Sequence, residues 1–113
     1  MQYMLLIYTP EAAPGEDEQA MPDMVPWNAY TDWLREKGIY RAGDPLGPSS
    51  ATTTIQVRDG QRLTTDGPFA ETKEVLGGYY IIETDDYDLA LEAAARCPGA
   101  LYGSMEVRPI VNM

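Results

Sequence analysis

The sequence contains no histidine and a single cysteine, Cys97, among its 113 residues. Ser-His-Asp and Cys-His catalysis, histidine-bearing zinc sites, paired-cysteine redox motifs and intramolecular disulfides are therefore excluded. Basic residues are scarce as well. Eight stand against eighteen acidic ones, the net charge is −10, and none occurs before Arg35. Such a surface repels phosphate backbones and anionic lipid, so neither nucleic acid nor a membrane surface is an expected partner. No apolar run is long enough to cross a bilayer, and the N-terminal MQYMLLIYTPE has no basic region or small-residue cleavage site, so it reads as a strand and not a signal peptide. The expected location is cytoplasmic. Gly77-Gly78 lacks the spacing of a phosphate-binding loop, and no motif gathers the carboxylates for a metal, so neither cofactor nor metal is expected.

What is present fits one domain spanning residues 1–113. Tyr3 to Tyr8 is apolar at nearly every position and short, which marks a strand covered on both faces. Residues 9 to 22 collect prolines and acids and read as an acidic loop. Asp23 is placed to cap a helix that tolerates Pro26 in its first turn, buries Trp27, Tyr30 and Leu34 on one face, and stops at Lys37-Gly38. A strand over Ile39 to Ala42 follows, then Thr52 to Arg58 and Arg62 to Thr65 around Asp59-Gly60, a strong hairpin signal. Leu76 to Glu83 is again apolar on both faces, with Gly77-Gly78 suggesting a bulge. Thr84 or Asp86 caps a second helix that is expected to bury Tyr87, Ala90, Leu91 and Ala94 and to end at Pro98-Gly99. In the last strand, Ser104 to Pro109, Met105 and Val107 take one face and Ser104, Glu106 and Arg108 the other.

This order predicts an α+β fold, a ferredoxin-like βαββαβ sandwich with an inserted β-hairpin. Its two central strands are apolar on both faces, yet two helices cover only one. The second face needs another cover, and a homodimer packed sheet to sheet supplies it, forming an α/β barrel.

The start MQYMLLIY, the block from Thr65 to Glu74 that reads TDGPFAETKE, the run Leu76-Gly77-Gly78-Tyr79-Tyr80 and the closing GSMEVRP together resemble the YCII-related proteins of the DGPF type. The resemblance spans nearly the whole chain. It implies a small ferredoxin-like protein that forms a dimeric α/β barrel, in a superfamily that includes muconolactone-isomerase-like and dehydrochlorinase-like enzymes. It also implies a regulatory setting beside sigma factors of the extracytoplasmic-function class. Two departures matter. The histidine–aspartate dyad associated with YCII-type enzymes cannot operate without a histidine. Tyr102 also stands where many relatives place one, and its unperturbed pKa near 10 is a poor match to proton transfer at neutral pH.

Asp66-Gly67-Pro68 is first a turn. Its functional reading aims the Asp66 carboxylate into the dimer cleft as a general base, at the start of a short helical segment over Phe69 to Glu74 whose N–H groups hold an anionic oxygen. Lys73 is the candidate electrophile, set against the plainer reading of a solvated charge. Glu106 and Arg108 point toward the partner's sheet, as a ligand-binding pair or an intersubunit ion pair. Tyr8, Phe69 and Tyr80 complete the candidate ligand-binding set. Two readings compete: a small-molecule-binding dimeric barrel, either binding only or running a cofactor-free isomerase- or lyase-type step through Asp66, and a non-catalytic regulatory module acting with a sigma factor or other protein.

Overall fold

The computed structural model describes residues 1–10, 24–68 and 73–112. A four-stranded antiparallel sheet is built from β1 (Gln2–Pro10), β2 (Tyr40–Pro45), β5 (Glu74–Glu83) and β6 (Ser104–Pro109), in the order β2-β5-β1-β6. The two strands with double-sided apolar sequences, β1 and β5, take the centre. Helices α1 (Met24–Glu36), α2 (Tyr87–Arg96) and the short α3 (Gly99–Tyr102) follow the alternation expected of a ferredoxin-like fold. Strands β3 (Thr53–Arg58) and β4 (Gln61–Asp66) form a separate two-stranded sheet.

Local chemistry explains the boundaries. The turn of the β3–β4 hairpin places Asp59 at φ 53° and Gly60 at φ 75°, the left-handed pair that a two-residue loop needs to match the strand twist. At the end of α1, Gly38 adopts φ 73°, and the Ile39 and Gly38 amides donate back to the Leu34 and Arg35 carbonyls, which closes the helix. The Asp86 side chain accepts the Leu89 amide at 3.2 Å and caps α2, while the Thr84 hydroxyl accepts the Asp86 amide at 3.0 Å. The expected cap at Asp23 lies outside the described residues. The Gly77-Gly78 irregularity is real. Ile7 pairs with Gly78 and Tyr8 with Leu76, leaving Gly77 as the extra residue.

Among the described residues, the helices cover one face of the sheet. Tyr3, Leu5 and Ile7 of β1 and Ile82 of β5 pack with Tyr30 and Leu34 of α1 and with Ala90, Ala93 and Ala94 of α2. Burying an aliphatic chain such as Leu5, Leu34 or Ile82 contributes about 1.5–3 kcal/mol. Met105 and Val107 turn to this core as their alternation predicted. The buried side of α2 matches expectation in part: Ala90 and Ala94 are buried, but Tyr87 and Leu91 are exposed, and Ala93 and Cys97 complete the inner stripe. Small residues at i, i+3, i+4 and i+7 let the helix lie close to the sheet, and a rotation of one residue moves the larger chains to the rim, where Tyr87 meets the Tyr3 ring at 5.9 Å.

A second difference concerns the segment Phe69 to Glu74. Residues 69–72 lie outside the described residues, but Lys73 is a bend and Glu74 already pairs with Pro10 as the first residue of β5, so the segment does not end as a helix. Among the described residues, no helix is long and apolar enough to cross a membrane.

Cys97 carries a pH consequence. Burial pushes its thiol up to about 11 from 9.0. The unfolded chain therefore loses this proton first, and stability falls as pH rises from about 9 to about 11. The loss from this one group is about 2–3 kcal/mol. Tyr30, raised from 10.0 chiefly by burial, acts in the same direction. Chemical denaturation of wild type and Cys97→Ala at pH 8 and pH 10.5 checks this: the stability difference between the two pH values should shrink in the variant.

Candidate functional site

A cavity of about 380 Å³ opens between the first half of α1 and the sheet, beside the β2–β5 edge. Trp27, Asn28 and Thr31 line it from the helix, Tyr40 and Gly43 from β2, and Gly78 and Tyr80 from β5. Glycine makes the space. A Cβ on Gly43 would stand 2.6 Å from the Tyr80 ring, and one on Gly78 would stand 3.1 Å from the Asp44 carbonyl oxygen. Trp27, Tyr40 and Tyr80 bring aromatic rings to the walls, with Tyr80 set edge-on to Tyr30 at 5.2 Å and to Tyr40 at 6.3 Å.

Hydroxyl groups supply polarity inside. Thr31 Oγ1 donates to the Trp27 carbonyl oxygen at 3.0 Å, so its contact with the Tyr80 hydroxyl, also 3.0 Å, is donated by the tyrosine. Burial raises the Tyr80 pKa, so this phenol stays protonated at neutral pH. The arrangement offers hydroxyl groups and an amide, Asn28, to a flat, largely apolar molecule.

The opposite face of the sheet carries a second set of groups. Cross-strand register places Met4, Leu6 and Tyr8 of β1 beside Ile81, Tyr79 and Leu76 of β5 and beside Arg108, Glu106 and Ser104 of β6. The Tyr8 pKa is raised first by a hydrogen bond to the Glu106 carboxylate, with Arg108 acting in the opposite sense. Toward the other edge, the Tyr79 hydroxyl donates to Asp44 at 2.8 Å, which raises its pKa as well. This face is an apolar ground with a polar pair at each side, and among the described residues no helix lies on it.

Of the residues singled out from sequence, the structure gathers Tyr8, Glu106 and Arg108 on the helix-free face, and it puts Tyr80 on the other side, in the cavity. Asp66 is exposed at the end of β4, with Gly67 beside it at φ 97° and the Gly67 amide donating to the Thr52 carbonyl at 2.7 Å. Lys73 is exposed just before β5. Phe69 lies outside the described residues. The sequence places Trp27 on the buried face of its helix and singles out neither Asn28 nor Thr31. Their signal was indirect: a polar pair around a core face, opposite strands with glycine at Gly43 and Gly77-Gly78.

The family model for the YCII-related domain matches residues 1–113. The chain belongs to the YCII-related family. A relative, an uncharacterised protein of Rhizobium meliloti, is 36% identical over 117 residues, which is 97% of this chain and 92% of that protein. Among solved structures, the chain is similar to 5-chloro-2-hydroxyhydroquinone dehydrochlorinase from Burkholderia phenoliruptrix, in complex with 2,5-dihydroxybenzoquinone. That match has a TM-score of 0.50 at 17% identity and covers all of this chain and 96% of the other. The likeness is one of fold, and it agrees with the ferredoxin-like order of elements in this YCII-related chain.

Proposed function

We propose that this YCII-related protein is a cytoplasmic homodimer that binds a compact, planar and largely apolar molecule bearing hydroxyl or carbonyl groups, such as a hydroxylated aromatic or a quinone. The cavity carries this reading: about 380 Å³ walled by Trp27, Tyr40 and Tyr80, with the Thr31–Tyr80 hydroxyl pair inside. Aromatic edges and faces suit a flat ring, and neutral hydroxyls suit its oxygens. The quinonoid ligand of the similarly folded dehydrochlorinase has this chemistry. Dimerisation is supported by the helix-free face, where apolar Met4, Leu6 and Ile81 surround the Tyr8–Glu106–Arg108 set.

Binding needs only the cavity. A cofactor-free isomerase- or lyase-type step, with Asp66 taking the proton and Lys73 as electrophile, needs the cleft that a second copy would close around them. Titration with 2,5-dihydroxybenzoquinone and with hydroquinone should quench Trp27 fluorescence saturably and raise the melting temperature. Saturation at a hundredfold excess over Kd stabilises by about 2.7 kcal/mol. Trp27→Phe should remove most of the quenching. Absence of both effects with either compound would count against the ring-binding reading, and a monomer by sedimentation equilibrium at micromolar concentration would count against the dimer. For any turnover found, Asp66→Asn should abolish the rate and keep ligand affinity, because Asn preserves the turn acceptor and cannot act as a base.

A second reading, a non-catalytic module acting with a protein partner, is favoured by one observation. An outer groove between α1 and α3 is walled by Trp33, Pro98, Leu101 and Tyr102, with Leu101 82% and Tyr102 62% exposed. Co-purification with a sigma factor that is lost in Leu101→Asp would support it.

A further inference from the structure

The β3–β4 hairpin stands apart from the body of the molecule. Among the described residues its two strands pair as a sheet with each other alone, and all of β4 is exposed. The Cα radius of gyration is 16.0 Å, against roughly 13 Å for a compact chain of this length, and the molecule measures 45 × 39 × 19 Å. An isolated two-stranded ribbon is marginal in water. This one nevertheless presents β-branched apolar residues to solvent: Ile55 is 54% and Val57 60% exposed. Cross-strand pairing with Thr64 and Arg62 puts both on a single face of the ribbon.

We propose that the β3–β4 hairpin is a dimerisation arm whose Ile55–Val57 face packs on a second copy of this chain. This rests on the homodimer reading and adds to it the element that holds the dimer together. Area is the first reason. A four-stranded face with these strand lengths covers roughly 500 Å² in plan, at a spacing of about 4.8 Å and a rise of about 3.3 Å per residue. A standard-size interface takes roughly 800 Å² from each partner. The arm adds its own apolar face to that of the sheet, and two arms, exchanged about a two-fold axis, add it twice. Charge is the second reason. Two copies at −10 each repel, and the arm carries Arg58 and Arg62 on either side of a turn that holds Asp59, a tip of net charge +1 suited to the acidic body of the other copy. The arm ends at Asp66, so its docking also decides where the Asp66 carboxylate points.

The experiment is sedimentation equilibrium of the full chain and of the double variant Ile55→Ser/Val57→Ser. Both residues are exposed in the single chain, so the substitutions leave the body folded, as near-UV circular dichroism will show. Each dimer contains two arms, and the expected rise in dimer Kd is at least 100-fold. A dimeric wild type with an equally tight variant dimer overturns the arm and leaves the homodimer standing. A monomeric wild type overturns both. Should the double variant fold poorly, a nitroxide label on Val57→Cys decides: its spectrum should be immobilised above the dimer Kd and mobile below it, and a label mobile at all concentrations overturns the proposal.

Discussion

Gly103→Ala should lower the melting temperature by roughly 15 °C, the largest loss expected from any single methyl group in this chain. Gly103 joins α3 to β6, its amide bonded to the Gly99 carbonyl at 2.9 Å. A Cβ there would run into the Tyr8 carbonyl oxygen and stand 3.0 Å from the Thr9 Cα. Both are backbone atoms of the central strand, so no side chain can swing aside. The methyl group must instead part β6 from β1 at the pair Tyr8–Ser104. Overpacking of this kind costs about 3 kcal/mol. Because that pair sets the register that brings Glu106 and Arg108 beside Tyr8, self-association should weaken along with stability. Calorimetry and sedimentation on the same sample measure the two together. A variant with unchanged melting temperature would show that the strand pair is not as close as described.

Gly43→Ala should abolish ligand binding, with at least a hundredfold loss of affinity, while costing about 1–3 kcal/mol of stability. The added Cβ meets the Tyr80 ring at 2.6 and 2.9 Å. That ring is held by Thr31 through its hydroxyl and by the edges of Tyr30 and Tyr40, so it yields only by turning into the space a ligand would use. The backbone itself is not the obstacle: β2 is an edge strand, and an Ala there keeps its hydrogen bonds. The double variant Gly43→Ala/Tyr80→Ala separates these effects. With the clash removed, the second substitution should cost less stability than Tyr80→Ala alone, a positive coupling of about 1 kcal/mol read from a double-mutant cycle. Additive losses, or quinone binding that survives Gly43→Ala, would place the ligand elsewhere.

The parts of the fold visible in the sequence were those governed by neighbours along the chain. Tyr3 to Tyr8 and Tyr79 to Ile82 announced central strands through unbroken apolar runs, Asp59-Gly60 announced its hairpin through the need for two left-handed residues, and Lys37-Gly38 announced the end of α1. Alternation also sorted β6 correctly, with Met105 and Val107 turned to the core. On α2, Ala90 and Ala94 are inside as their spacing predicts, whereas Tyr87 and Leu91 are not, because close approach to the sheet favours alanine over larger chains. Candidate chemistry was less legible. Tyr8 and Tyr80 both alternate within apolar strands, but only the register between β1 and β5 shows that they stand on opposite faces.

The sequence by itself determined the order of elements, the two central strands, the absence of histidine and disulfide chemistry, and the net charge that any partner must meet. These are properties of composition and of periods of two or about 3.6 residues, which act over a few neighbours. The tertiary structure alone decided that Gly43 and Gly78 open a cavity under Trp27, that the Tyr80 hydroxyl reaches Thr31, and that β3–β4 lies outside the main sheet. Each depends on how closely segments distant in the chain approach one another, and that distance is set by packing, to which a local pattern carries no ruler.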